Sequence, residues 1–322
     1  MLSRIAESLF WIGRYVERAE ATARILDVHI HHLLEAQLES EAELCAVLLS
    51  VMGVKITDMA SEELTARRVV EILAFDTTNP SSIVSSLVAA RVNARGVSEA
   101  ISSEMWEALN VTYNTLFTES GHGSAFTPYA FFRFVRERGA VVSGLIDSTM
   151  SRDDAWRFMV LGRSLERVDM LARLLAAATA GPEPDWVVLL RSVSAHEAFL
   201  RTYRREPEGH LAAQFLLLDR LFPRSAFFSL RSAEECLAEL DPRSARVGTH
   251  DEGRRVLGRL RTTLEFLRVS ELMSDLPELL PELQRECGAA SVAIASRYFR
   301  QTNVIEWTVE RAEFDVVRPI GL

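Results

Sequence analysis

Glutamates and arginines near the N terminus have the types and spacing that buried ion-pair or acid–base chemistry requires. Glu17 and Glu20 lie three residues apart, among Arg14, Arg18 and Arg24. On a helix that turns ~100° per residue, these side chains fall beside an apolar stripe, where a second helix would partly bury them. A buried carboxyl could act as a general acid or base, or pair with arginine and fix the helix register. The alternative is a set of exposed pairs that contribute roughly a few tenths of a kcal/mol each.

The same pattern recurs 149 residues later in the chain. Segment 13–26 reads Gly-Arg-x-x-Glu-Arg-x-Glu-x-x-Ala-Arg-x-Leu, and segment 162–175 repeats it with aspartate for the second glutamate. The second copy contributes Glu166, Arg167 and Arg173. Exposed pairs have little reason to persist while the positions between them diverge. The repeat therefore favours burial of these charges, and a lattice of arginine and glutamate that fixes register is favoured over catalysis.

A second internal match has nearly the same spacing. Segments 76–87 and 219–230 share five residue identities at an offset of 143. Two matches in the same order predict a duplicated helical unit. We expect an N-terminal helical half over 1–150 and a diverged C-terminal half over 151–322, forming one continuous unit whose long helices share a core.

Gly13 and Gly162 occupy equivalent places in the two copies. A glycine inside a helix costs ~1 kcal/mol relative to alanine, and it is favoured where another backbone comes near. We therefore predict that the two long helices pack together, related by an approximate two-fold axis, with Gly13 and Gly162 at their closest approach. A larger residue such as leucine at position 13 would overpack that crossing.

A second polar cluster follows about seventy residues after the first. Arg91 and Arg95 are four residues apart, so both guanidinium groups project from one helical face beside Asn93, with Glu104 shortly downstream. Two forked donors suit the recognition of a carboxylate or a phosphate. The alternative is that these arginines pair with the carboxylates of the first helix.

Known catalytic and metal-binding templates are absent from the sequence. It contains no phosphate-binding loop, no dinucleotide fingerprint, no nucleophile elbow and no H-E-x-x-H motif. His29, His31 and His32 lack the Glu-x-x-His pattern of di-iron bundles. A magnesium site made from the repeated carboxylates is opposed by the adjacent arginines. We therefore predict neither a metal nor a cofactor.

Composition and periodicity predict an all-α protein. The chain has only 15 glycines and 10 prolines in 322 residues, both below the usual ~7% and ~5%, and no segment alternates with the period of a strand. The longest helices are expected at about 3–36 and 152–180, the second opened by a capping box at Ser151-x-x-Asp154. Asn79-Pro80 is expected to begin another helix. The other predicted helices cover 41–52, 61–75, 80–95, 104–116, 129–150, 185–204, 208–221, 224–240, 252–273 and 279–300.

Charge and cysteine content limit the classes of partner. The chain has 36 basic and 45 acidic residues and a net charge of −9, which disfavours nucleic acids and anionic membranes. Cys45, Cys236 and Cys287 are too scattered for a disulfide framework. Neither a signal peptide nor a run of ~18 apolar residues is found. We expect a soluble, cytoplasmic protein that is able to form oligomers.

The N-terminal string resembles a known bacterial family. The residues that carry the likeness are Met1-Leu2-Ser3-Arg4-x-Ala6-x-x-Leu9-Phe10-Trp11-x-Gly13-Arg14-Tyr15-x-Glu17-Arg18-Ala19-Glu20-x-x-Ala23-Arg24, then Asn93-Ala94-Arg95 and Ser103-Glu104-Met105-Trp106. They resemble the alpha-E family, a domain of unknown function. The resemblance implies an all-helical protein encoded beside, or fused to, a circularly permuted ATP-grasp protein, often with a transglutaminase-like protein nearby.

Three functions are compatible with these observations. In the favoured one, the chain is a non-catalytic helical scaffold that docks an ATP-grasp amide ligase and presents the Arg/Glu cluster to it or its peptide substrate. In the second, it acts on amide or peptide bonds, with Glu17 or Glu20 as the acid/base and Arg91 and Arg95 binding a carboxylate. The adjacent arginines oppose that role because they would lower the carboxyl pKa. In the third, it binds small anions or peptides and has no ligase partner.

Overall fold

A computed structural model describes residues 1–36, 41–54, 60–121, 127–180, 184–242 and 247–299 of the chain. The all-α prediction is confirmed, because these residues form helices joined by turns and contain no strand. None of the helices in these ranges is both long enough and apolar enough to span a membrane. The predicted loops around 121–124 and 181–184 lie mostly outside the described residues.

Thirteen α-helices are found in the described part of the chain. Their bounds are α1 Ser3–Ala36, α2 Glu41–Val51, α3 Ala66–Val70, α4 Ile83–Arg95, α5 Ser103–Gly121, α6 Pro128–Thr149, α7 Asp154–Thr179, α8 Trp186–Ser192, α9 His196–Tyr203, α10 Gly209–Leu218, α11 Ala226–Leu240, α12 Glu252–Phe266 and α13 Leu272–Tyr298. Short 3₁₀ turns cover Ser61–Glu63 and Ser98–Ala100, and a π-helical turn, Glu71–Phe75, continues α3. The two long helices agree with the prediction to within two residues.

Helices α1 and α7 form the centre of the molecule. They make the most extensive contact between any two elements. Helices α4 and α6 pack on α1, while α11 and α13 pack on α7. Helix α5 bridges α4 and α6, as α12 bridges α11 and α13. Buried side chains from both halves belong to one hydrophobic cluster. Duplication itself remains a prediction, but the two halves share a core.

The two repeated glycines lie at the crossing of α1 and α7, as predicted. A Cβ atom added to Gly13 would lie 2.1 Å from the carbonyl oxygen of Met159, and one added to Gly162 would lie 2.0 Å from that of Phe10. Each carbonyl belongs to the residue three positions before the glycine of the opposite helix, so the contact is reciprocal. A backbone atom cannot move aside as a flexible side chain can, and this crossing therefore requires glycine on both helices.

The predicted start of α4 at Asn79-Pro80 was wrong. The helix begins after Ser82, whose hydroxyl accepts a hydrogen bond from the amide of Ser85. Asn79 instead donates its side-chain amide to the carbonyl of Ile72. Serine and asparagine are both good N-caps, and sequence alone did not distinguish them here.

The predicted capping box at the start of α7 was also wrong. The cap is Asp153, whose carboxylate accepts hydrogen bonds from the amides of Ala155 and Trp156. Ser151 lies two residues upstream of the cap, and Asp154 is the first helical residue. A carboxylate at this position also interacts favourably with the positive end of the helix dipole.

Further boundaries differ from the sequence prediction: the helix predicted over 252–273 ends at Phe266, and the one predicted over 61–75 is a 3₁₀ turn, α3 and a π-helical turn. The helix predicted over 185–204 is divided into α8 and α9, because Ser194 adopts a left-handed backbone conformation with φ of 56°. Helix α13 begins at Leu272, upstream of both Pro277 and Pro281. Proline inside a helix costs ~3 kcal/mol, and the burial of several leucines on the same stretch of α13 offsets that cost.

The close contact at the crossing predicts that glycine-to-alanine substitutions there change the free energy of unfolding differently from the same substitution elsewhere. Gly13→Ala or Gly162→Ala should lower the free energy of unfolding by about 1–3 kcal/mol, because the new methyl group overpacks a backbone contact. Gly144→Ala in α6 is the matched control, since nothing beyond the neighbouring residues and backbone of its own helix lies within 4 Å of its added Cβ. It should stabilise the helix by up to about 1 kcal/mol. Urea unfolding measures all three, and equal effects would contradict the proposed role of the crossing.

Candidate functional site: a buried glutamate–arginine cluster

Glu166 of α7 is held by two arginines from α1. Its Oε2 atom lies 2.6 Å from Nε of Arg14, and its Oε1 atom lies 2.6 Å from Nε of Arg18. The carboxylate is almost fully buried. Burial by itself would raise its pKa, but the two guanidinium groups outweigh burial and lower it. Glu166 is therefore ionised at neutral pH.

Glu17 of α1 has the corresponding arrangement on the opposite side of the crossing. Its Oε2 atom lies 2.9 Å from Arg167 of α7, and its Oε1 atom lies 2.8 Å from Arg224. Burial would raise the pKa of this carboxyl, but Arg167 and Arg224 lower it to about 2. Each long helix thus supplies a glutamate to an arginine of the other, and the Glu-Arg dipeptides of both repeats take part in this exchange.

The cluster continues along α1 away from the crossing. Glu20 accepts hydrogen bonds at 2.5 Å from both Arg24 and Arg224. Glu20 also packs on Gly139 of α6, where an added Cβ would lie 3.1 Å from its side chain. Burial and the neighbouring Arg224 lower the pKa of Arg24. Glu17 and Glu20 together contact three guanidinium groups, those of Arg24, Arg167 and Arg224. The local charge is therefore positive.

The second copy of this arrangement is simpler. Asp169, which corresponds to Glu20, pairs with Arg173 at 3.0 Å, the equivalent of Arg24. Burial raises the pKa of Asp169 even though Arg173 opposes the shift. The position equivalent to Arg224 is Ser81, so the second copy has no arginine at that place. The two copies share the central pairs and differ at their outer edge.

Sequence reasoning missed two members of the cluster. Arg224 lies in the turn before α11, and Arg136 of α6 pairs with Asp27 at 3.0 Å. The sequence did contain a pattern that could have identified Arg136. Arg-Glu-x-Gly-Ala occurs at 136–140 and again 149 residues later at 285–289. Arg224 carried no such signal, since its counterpart is a serine.

The second predicted cluster does not join the first. Nε of Arg91 donates to Oδ1 of Asn110 at 3.3 Å, and its guanidinium lies over the rings of Trp106 and Tyr113, 5.7 and 4.6 Å from their centroids. Arg95 is exposed at the end of α4. Neither arginine is among the described partners of the carboxylates of α1, so the alternative that they pair with those carboxylates was wrong.

The remaining predicted members of that second cluster make local contacts. The side-chain amide of Asn93 donates to the carbonyl of Ala89 at 2.8 Å within the same helix. Glu104 is exposed and accepts a hydrogen bond from the neighbouring Ser103. The cluster is therefore a surface of α4 and α5 made of an arginine and aromatic rings, and its charged groups do not form a deep pocket.

The buried cluster is better suited to holding helices than to proton transfer. With a pKa of about 2, Glu17 has no proton to donate at neutral pH and is a weak base. Each of its carboxylate oxygens also faces a guanidinium group. Across the described ranges, no three His, Cys, Asp or Glu side chains lie close enough together to hold a metal ion.

The fold and the cluster define an all-α protein in which two long helices exchange buried glutamate–arginine pairs. The chain belongs to the Alpha-E family, described as a predicted alpha-helical domain with a conserved ER motif, and the family match covers residues 1–299. The resemblance seen in the sequence is thus confirmed. The Glu-Arg dipeptides of α1 and α7 are of the kind that this description names.

The relatives found among curated proteins are uncharacterised. One protein of Mycobacterium bovis and two of Mycobacterium tuberculosis are each 27% identical to the chain over 308 residues, which cover 86% of this chain and 35% of the relative. The chain therefore spans about a third of the length of these relatives. No solved structure matches it.

The burial of Glu17 predicts a large cost for its removal. Glu17→Ala should lower the free energy of unfolding by about 3 kcal/mol, because Arg167 and Arg224 would lose a buried counterion. The matched control is Glu137→Ala, which alters another Glu-Arg dipeptide whose glutamate is exposed and pairs loosely with Arg133 at 3.8 Å. That change should stay within about 0.5 kcal/mol. Urea unfolding of both variants decides whether burial or the dipeptide itself matters.

The lowered pKa of Glu17 predicts a specific pH dependence. Its pKa falls from 4.5 to about 2 on folding, so ionised Glu17 stabilises the fold above pH 4.5. That contribution, about 3 kcal/mol, is lost as the pH falls toward 2. The gap in unfolding free energy between wild type and Glu17→Gln should therefore be largest at neutral pH and shrink in that window. A gap that stays constant from pH 6 to pH 3 would contradict the assignment.

Proposed function

We propose that this protein is a helical scaffold that docks an ATP-grasp amide ligase and acts with it in making or modifying amide-linked peptides. The observation that carries the proposal is the pairing of the central carboxylates. Glu17 and Glu166 are each bound by two arginines, so the most deeply buried charges serve the packing of α1 against α7. The ligase context is what the family resemblance implies.

The greater length of the relatives supports a role in which this helical unit acts beside another domain. In the mycobacterial relatives, the match accounts for 35% of the chain, and the rest of each relative lies outside it. A module that recurs inside longer chains is suited to holding another unit in place. A transglutaminase-like protein is a second partner that the resemblance implies, and it belongs to the same proposal.

The docking face cannot be the buried cluster, because its carboxylates already face inward. The surface of α4 and α5 is better suited. Arg91 lies over Trp106 and Tyr113, and Phe117, next to Tyr113 on the same helix, is 47% exposed. Arginine, tryptophan and tyrosine are the residue types that contribute most binding energy at protein interfaces. We assign the ligase to this face.

The two alternatives have less support. An acid–base role for Glu17 conflicts with a pKa of about 2. An isolated binding function at Arg91 and Arg95 would require both guanidinium groups to face one ligand, whereas Arg91 already bonds to Asn110. The scaffold proposal needs neither arrangement.

Co-expression with the ATP-grasp protein encoded in the same genome tests the proposal. We expect the two proteins to elute together in size-exclusion chromatography at micromolar concentration. Phe117→Ser should weaken the complex at least tenfold, whereas Leu221→Ser, at a residue that is 85% exposed outside this face, should leave it unchanged. Separate elution of the wild-type proteins would refute the scaffold, and equal effects of the two variants would refute the assigned face.

A further inference from the structure

A large groove runs along α12 on the surface of the C-terminal half. Its volume is about 1180 Å³, and it is bounded by α11, by the turn at 248–251 and by Arg297 of α13. It begins beside Asp251, which caps the N-terminal end of α12, and it reaches Phe266 at the other end of that helix. Neither the buried cluster nor the face of α4 and α5 contributes to this groove.

The charged side chains of the groove are matched in number. The ion pairs are Arg255 with Glu252, Arg261 with Glu234 and Glu265, and Arg297 with Asp241 and Asp251. Arg254 and Arg259 also line the groove, so five arginines stand beside five carboxylates. A groove without net charge has no general attraction for a small ion. It suits a polypeptide segment that itself carries charges of both signs.

Two large apolar side chains are left uncovered at the two ends of the groove. Val247, which directly precedes the turn at 248–251, is 82% exposed, and Phe266, which lines the far end, is 75% exposed. The removal of such apolar surface from water is favourable. An occupant that runs the length of α12 and carries apolar side chains would cover both of them.

The described part of the chain ends at the mouth of this groove. Arg297 lines the groove, and the hydroxyl of Tyr298 donates to Oδ2 of Asp251 at 2.7 Å. Phe299 follows with an extended backbone, and its ring centroid lies 5.4 Å from that of Phe10 in α1. These contacts fix the point from which residue 300 continues, beside the N-terminal end of α12.

Residues 300–322, which follow, have the length and composition to cover the groove. Helix α12 has 15 residues and is therefore about 22 Å long, a distance that about seven extended residues span. The segment has 23 residues, of which three are arginines and four are carboxylates. Ten others are apolar, namely Val304, Ile305, Trp307, Val309, Ala312, Phe314, Val316, Val317, Ile320 and Leu322. Apolar side chains at this density favour burial against a surface.

We propose that the segment 300–322 folds back along α12 and docks in this groove of its own chain. Its first part is long enough to reach Phe266 and contains Ile305, Trp307 and Val309. The segment is tethered at the mouth of the groove, so its effective concentration there is on the order of millimolar. That advantage favours it over a second copy of the chain or a separate protein. The docking is independent of the proposed ligase complex, which is assigned to α4 and α5.

Acrylamide quenching of Trp307 in the full chain tests the proposal. The chain has five tryptophans, so the emission of Trp307 is obtained as the difference between the wild type and Trp307→Phe. We expect its quenching constant in the folded chain to be at least threefold below that in the urea-unfolded chain, at every protein concentration. Equal quenching in the two states would overturn the proposal. Shielding that grows with protein concentration would also overturn it, because it would place the segment on another copy.

Matched double variants locate the shielding of Trp307. Val247→Ser combined with Phe266→Ser should raise the quenching constant at least twofold, because the apolar ends of the groove are lost. The control combines Leu221→Ser with Val292→Ser, at residues 85% and 71% exposed that do not line the groove, and should leave it unchanged. Each double variant is compared with the same chain carrying Trp307→Phe. Equal quenching constants in the two double variants would refute docking in the groove.

Hydrogen–deuterium exchange identifies the covered surface from the other side. Ile305→Asp combined with Val309→Asp in the full chain should release the segment, because charged groups would replace its apolar contacts. We expect amide exchange at least threefold faster in α12 and in the turn at 248–251, with α4 and α5 unchanged. Unchanged exchange in α12, or faster exchange in α4 and α5 in its place, would contradict the proposed docking.

Discussion

The structure depends on the reciprocal pairing of glutamate and arginine across the crossing of α1 and α7. Gly13 and Gly162 let the two backbones meet, and on either side Glu17 and Glu166 form ion pairs with arginines of the opposite helix. Buried charges are tolerated only when each has a partner in good geometry. The crossing therefore has one register, because sliding either helix by a turn would leave several charges without partners.

This constraint separates the interior of the protein from its functional surfaces. Buried ion pairs add little net stability compared with apolar packing, but breaking one is costly. The cluster thus specifies how the halves meet, while the apolar core that both halves share supplies most of the free energy of folding. A carboxylate held at a pKa of about 2 by Arg167 and Arg224 stays ionised over the whole range in which proteins usually work, so the crossing is insensitive to pH there.

Helices that hold equivalent places in the two halves carry different exposed residues. Helices α5 and α12 hold equivalent places, each bridging the two helices that pack on a long one. At positions 149 residues apart, α5 carries Trp106, Asn110, Tyr113 and Phe117, while α12 carries Arg255, Arg259, Thr262 and Phe266. The α5 surface is largely aromatic, whereas the α12 surface carries two arginines and a single aromatic ring. The shared framework permits this because exposed residues are free of the constraint at the crossing.

The sequence by itself determined what depends on local periodicity and on repetition. It indicated the all-α fold, both long helices, the glycine crossing and the burial of Glu17 and Glu166. Only the tertiary structure decided which distant groups complete the cluster, because a turn residue such as Arg224 approaches Glu17 only once α11 has packed on α7. It also directed Arg91 to the aromatic rings of α5 instead of the carboxylates of α1. Partner choice among arginines is set by the relative placement of helices, which helical periodicity alone does not encode.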